Sequence, residues 1–209
     1  MLLSDPSPLI TVPVIPVLTI DRADQAVPLA RALLSGGLNV MEITLRTPVA
    51  IAAVRAIVQD VPDMVVGVGT VTKPLDVTHA VDAGADFLVS PGTPASLAQA
   101  LADAPVPALP GCATASEAMA LAGMGFPVLK FFPAESSGGP RWLRAVAEPL
   151  PDIRFCPTGG VNGDNAASYL ELKNVLAVGG SWVAPAADIA ADNFDIITAR
   201  ARVAAALRA

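Results

Sequence analysis

The stretch "PVLKFFPAE", residues 127–135, sets Val128, Leu129, Phe131 and Phe132 between two prolines and puts Lys130 in their midst. A run this short and this continuously apolar predicts a strand buried on both faces, because a strand with one wet face alternates apolar with polar. Seven more runs of the same kind punctuate the chain: "VPVIPVLTI" (12–20), "VMEITLR" (40–46), "MVVGVGTV" (64–71), "FLVSP" (87–91), "VPALPGCA" (106–113), "IRFCPTGG" (153–160) and "VLAVGGS" (175–181). Between them lie Ala- and Leu-rich segments with helical spacing, such as "DRADQAVPLARALLSGG" and "TPASLAQALADA". Several end in glycine, a common helix stop. Eight strand–helix units at roughly 25-residue spacing predict an all-parallel sheet covered by helices, closed as a (β/α)₈ TIM barrel, with residues 1–209 as a single domain. The rival, a doubly wound open sheet, lacks its mark, since no strand is followed by a GxGxxG loop.

Composition narrows the function classes. Hydrophobic residues make up 53% of the 209-residue chain and charged ones 15%, a balance that fits a compact cytoplasmic protein. A formal net charge of -6 offers no basic patch to a nucleic acid. It also repels anions at long range, so an anionic substrate has to be captured by local groups. Cys112 and Cys156 lie far apart without CxxC spacing, which argues against a disulfide framework and for a reducing compartment. "MLLSDPSPLI" has no basic segment and no small-residue cleavage site, so no signal peptide is expected. The longest apolar stretch, "LITVPVIPVLTI", is short and broken by Pro13 and Pro16, so no membrane span is expected.

In a barrel of this kind, chemistry sits at the C-terminal ends of the strands. Strand side chains alternate in direction, which puts Glu42, Thr44 and Arg46 on one face of the second strand. An inward face normally carries Val, Ile or Leu. Glu42 and Arg46 there form either an ion pair that plugs the interior or a working site. Thr70, Pro91 and Thr158 close the third, fourth and seventh strands at a similar level. A lysine in an apolar interior is desolvated, which disfavours its charged form and leaves free amine, the nucleophile that attacks a ketone to form a Schiff base. The competing reading of Lys130 is a head group that snorkels out at the strand end to bind phosphate or carboxylate. Lys73 and Lys173, in a loop and at a helix end, read as solvent-exposed, so Lys130 is the candidate nucleophile. "TGGVNGDN" (158–165) and "VGGSW" (178–182) follow the last two strands, where barrels often bind phosphate through backbone N–H groups and a helix N-terminus. Ser181 adds a hydroxyl donor there, at the expected start of a helix. His79 is the only histidine and reads as a surface helix residue, which disfavours a zinc- or iron-type centre. A magnesium site built from carboxylates stays open.

Taken in order, "EITLRT" (42–47), "GVGTV" (67–71), "SPG" (90–92), "LPG" (109–111), "KFFPAE" (130–135), "CPTGG" (156–160) and "GGSW" (179–182) resemble the 2-keto-3-deoxy-6-phosphogluconate (KDPG) aldolases over nearly the whole chain. The resemblance implies a class I, Schiff-base aldolase of the Entner–Doudoroff pathway, a homotrimer that needs no metal and no cofactor. It implies cleavage to pyruvate and glyceraldehyde 3-phosphate, and often activity on 4-hydroxy-2-oxoglutarate. It implies Lys130 as the imine-forming lysine, Glu42 as general acid and base, and Arg46, Thr70 and Pro91 as pyruvate-binding residues. Thr158 would bond a substrate hydroxyl, which favours the gluconate epimer. Gly159, Gly160, Gly180 and Ser181 would hold the phosphate. Three alternatives remain: the galactonate-epimer aldolase, an oxoacid decarboxylase on the same scaffold, and a non-catalytic barrel that binds phosphorylated sugars.

Overall fold

The computed structural model describes residues 3–208. Its strands are β1 (Val14–Leu18), β2 (Val40–Thr44), β3 (Val65–Gly69), β4 (Phe87–Val89), β5 (Ala108–Leu109), β6 (Gly111–Cys112), β7 (Val128–Phe131), β8 (Arg154–Pro157) and β9 (Val178–Gly180). The helices between and after them are α1 (Ala26–Ser35), α2 (Ala50–Asp60), α3 (Pro74–Asp82), α4 (Ala95–Ala102), α5 (Ala115–Gly123), α6 (Gly139–Ala147), α7 (Ala166–Leu170), α8 (Ala186–Ala190) and α9 (Phe194–Ala205). Every strand falls inside one of the eight apolar runs. The fifth run yields two.

All ladder pairings are parallel, as the two-sided burial of these runs requires. They make a curled six-stranded sheet, ordered β5-β4-β3-β2-β1-β9, and a three-stranded sheet, ordered β6-β7-β8. The expectation of one continuous eight-stranded ring therefore meets two breaks. Pro110 stands between β5 and β6, and a proline has no N–H to give to a ladder. Its carbonyl still accepts from the Lys130 N–H at 3.0 Å. Between β8 and β9 the pairing narrows to two isolated parallel bridges, Phe155 to Val175 and Thr158 to Gly179.

The helices cover the sheets through apolar stripes at helical spacing. In α2, Ala50, Ala53, Val54 and Ile57 are buried, at i, i+3, i+4 and i+7 on one face. The α5 start is fixed by a capping box: the Thr114 hydroxyl accepts from the Glu117 N–H, and the Glu117 carboxylate accepts from the Thr114 N–H. On β7 the alternation is plain. Phe131 points to the helix layer and stacks on Trp142 of α6 with ring centroids 4.3 Å apart, while Lys130 points the other way. One hydrophobic cluster runs from Ile10 to Ala204. No described helix is long and apolar enough to cross a membrane.

Candidate active site

Lys130 and Glu42 meet in the interior. The lysine Nζ lies 3.2 Å from Glu42 Oε1 and 3.4 Å from Oε2, and the two residues are only 5% and 4% exposed. Lys130 sits on β7 opposite Gly111 on one side and Cys156 on the other. Its ammonium also lies 5.6 Å from the centroid of the Phe132 ring, within reach of a cation–π attraction. Two sequence readings change here. Lys130 does not snorkel to the mouth, because Glu42 holds its head inside. Glu42 does not pair with Arg46: it takes Lys130, and the exposed Arg46 side chain forms no ion pair or hydrogen bond among the described residues.

Gly69 makes room for this pair. A Cβ built on Gly69 would stand 1.9 Å from Glu42 Oε1 and 2.5 Å from its Cδ, so the carboxylate occupies the space that a side chain on β3 would need. The residue that follows, Thr70, has φ of +60°, a strained conformation for a β-branched residue.

A cavity of about 360 Å³ opens where the strands end, lined by Arg46, Thr158, Gly159, Gly160, Gly180 and Ser181 together with Val17, Thr19, Phe132 and part of α8. Phe132 and Thr158 stand two residues beyond Lys130 and its partner Cys156, so the cavity lies just past the lysine along the strands. Gly159 and Gly160 have φ of +97° and +80°, open to glycine at little cost. Their carbonyls accept from Glu135 N and Asn165 Nδ2, each at 3.0 Å. The Gly159 N–H faces the Gly179 carbonyl across the bridge between Thr158 and Gly179, while the Gly160 N–H meets no acceptor among the described residues. A backbone N–H left open in such a turn is a donor for an anion. Glu135 braces the loop, since a Cβ on Gly160 would meet Glu135 Cβ at 2.6 Å, and the buried Tyr169 hydroxyl donates to the Glu135 carboxylate. Burial, then that bond, raises the Tyr169 pKa above its ordinary value, so the phenol keeps its proton.

The structure gathers most of the predicted site but not all of it. Pro91 lines a separate cleft with Thr72, Gly92, Thr93, Pro94 and Glu117. Its backbone nevertheless crowds Gly111, the strand neighbour of Lys130: a Cβ on Gly111 would meet the Pro91 carbonyl carbon at 2.4 Å. Thr70 lines neither space. Ser181 does not begin a helix, because Trp182 folds its ring over Gly180 and α8 starts only after Pro185. Thr19, Gly69, Glu135 and Tyr169 were not singled out from sequence. Thr19 left the clearest trace, a hydroxyl at the end of an apolar strand. His79 and Lys173 are exposed, as is Lys73 at the start of α3. Burial pushes the Cys112 and Cys156 thiols up to about 12, so neither offers a thiolate nucleophile.

Residues 7–200 match the family model for KDPG and KHG aldolase. The chain is 48% identical over 194 residues to the 2-dehydro-3-deoxy-phosphogluconate aldolase of Dickeya dadantii (strain 3937), covering 93% of this chain and 91% of that one. It is 45% identical over 196 residues to the KHG/KDPG aldolase of Escherichia coli (strain K12), with 94% and 92% covered. Among solved structures, the KDPG aldolase of Legionella pneumophila, with pyruvate captured at low pH as a covalent carbinolamine intermediate, superposes with a TM-score of 0.95. That pair shares 42% identity, with 97% of this chain and 99% of that chain covered.

Proposed function

The chain belongs to the KDPG and KHG aldolase family, and on that premise we propose that it is a class I aldolase. It cleaves 2-keto-3-deoxy-6-phosphogluconate to pyruvate and glyceraldehyde 3-phosphate, and 4-hydroxy-2-oxoglutarate to pyruvate and glyoxylate. The observation that carries the residue assignment is the buried Lys130–Glu42 contact of 3.2 Å, set just beneath a cavity lined by an unpaired arginine.

Glu42 takes a proton from the Lys130 ammonium, and the free amine attacks the C2 ketone. Glu42 returns that proton to the departing hydroxyl, water leaves, and a protonated imine remains as an electron sink. Glu42, acting through a water, then removes the C4 hydroxyl proton. The C3–C4 bond breaks, its electrons move into the imine, and the aldehyde departs from the resulting enamine. The proton on Glu42 goes to C3, and water releases pyruvate from the lysine. Arg46, charged at any working pH, presents a planar fork to a substrate anion. The reading assigns Thr70 and Pro91 to the pyruvate end, Thr158 to a substrate hydroxyl, and Gly159, Gly160, Gly180 and Ser181 to the phosphate. The two sheets read as one (β/α)₈ barrel whose ring is broken at Pro110 and thinned between β8 and β9, within a single domain. A cytoplasmic homotrimer accompanies the family resemblance, and analytical ultracentrifugation tests it.

Borohydride added with pyruvate should reduce the imine, inactivate the protein and leave the pyruvyl mass on Lys130. A mass mapped to Lys73 or Lys173 instead would overturn the assignment.

A further inference from the structure

Two residues that line the cavity take no part in the mechanism above. They are Val17 and Thr19, at the end of β1, beside Arg46 and Thr158. Thr19 Oγ1 lies 3.1 Å from Thr44 Oγ1 on the neighbouring strand. Thr44 is fully buried, and its own hydroxyl donates to the Leu18 carbonyl at 2.8 Å. A hydroxyl has one proton to give and two lone pairs to offer. The Thr44 proton is engaged by the carbonyl, so between the two threonines Thr19 donates and Thr44 accepts. Thr19 then presents only lone pairs to the cavity.

We propose that Thr19 is a specificity-determining residue: its oxygen accepts a hydrogen bond from the substrate's C5 hydroxyl and so favours hydroxylated sugar acids over dicarboxylates. The inference rests on the aldolase reading above. The two substrates share the keto acid end and the C4 hydroxyl, and they part at C5. The sugar acid has a hydroxyl there, with a proton to give. 4-Hydroxy-2-oxoglutarate has a carboxylate there, with none. An oxygen that can only accept bonds the first and repels the second. Thr158, another hydroxyl lining the cavity, has two partners on Cys156, the carbonyl at a marginal 3.5 Å and the thiol. Both are weak acceptors in this geometry, so Thr158 can still donate to substrate, whereas the Thr19 proton is committed to Thr44.

The test compares kcat/KM on the two substrates for the wild-type protein and for Thr19→Val, Thr19→Ser and Thr44→Val. Thr19→Val should lose about 2- to 10-fold on the sugar acid, the effect of one neutral hydrogen bond, with no loss on the dicarboxylate. Thr19→Ser should restore the wild-type ratio. Thr44→Val frees the Thr19 proton and should shift the ratio toward the dicarboxylate. Equal losses on both substrates, or an unchanged ratio in Thr44→Val, would overturn the proposal while leaving the aldolase reading intact. No pyruvate release from either substrate by the wild-type protein would sink the aldolase reading itself, and this inference with it.

Discussion

Gly69→Ala puts the geometry of the catalytic pair to a test that leaves both of its members in place. The added Cβ would stand 1.9 Å from Glu42 Oε1, and ordinary contact begins at 3.4 Å, so the carboxylate has to retreat by about 1.5 Å. It has no free path toward the lysine, which is already 3.2 Å away. A displacement of about 1 Å at a reacting group can cost about 10²-fold, and kcat should fall by that order. Crowding of a packed interior costs roughly 1–3 kcal/mol, so the variant should fold with a lowered Tm. Steady-state assay of pyruvate release, beside Tm and a double-mutant cycle with Glu42→Gln, separates the causes. Glu42→Gln alone should lower kcat by about 10²–10⁴-fold. Adding Gly69→Ala to it should lower kcat little further, because the displaced group no longer moves a proton. A Gly69→Ala protein with near wild-type kcat would refute the reasoning, as would full additivity in the cycle.

Two further outcomes follow from the same structure. Ser181 is exposed on the cavity and makes no side-chain hydrogen bond among the described residues. A hydrogen bond to a charged group contributes about 1.5–3 kcal/mol, so Ser181→Ala should lower kcat/KM on the phosphorylated substrate by about 10- to 100-fold and leave 4-hydroxy-2-oxoglutarate nearly unaffected; equal losses would remove Ser181 from the phosphate site. At the start of α5, the Ala113 N–H, then the Thr114 hydroxyl, hold the Glu117 carboxyl below its ordinary value of 4.5. A lowered folded-state pKa gives stability that is full above the unfolded value and lost as pH falls through the folded one. Thr114→Ala should therefore cost about 1 kcal/mol near neutrality and flatten the decline of Tm with pH below about 4.5, and an unchanged decline would show that the capping box is not its source.

The strands were legible in the chain because two-sided burial is a local requirement: each run must be apolar at both parities, wherever it ends up in the fold. Lys130 stood out for the same reason, as a charge in a run that otherwise excludes it. The break at Pro110 was in plain view, yet the surrounding residues read through it as one strand. The partner of Glu42 was another matter. Arg46, expected four residues on along the same strand face, was the local candidate, but β2 ends at Thr44 and the chain turns there, the Arg46 N–H donating to the Thr44 carbonyl at 2.8 Å. Lys130, 88 residues away in sequence, is the group that reaches it. Gly69 looked like any strand glycine until the Glu42 carboxylate was found in the space of its missing Cβ. Thr19 looked like the polar end of a strand until Thr44 and the Leu18 carbonyl fixed which way its proton points. Local pattern sets which residues form strands and which faces they bury. Which side chains meet in the interior depends on the order, register and curl of strands across the whole chain, and that only the assembled sheets decide.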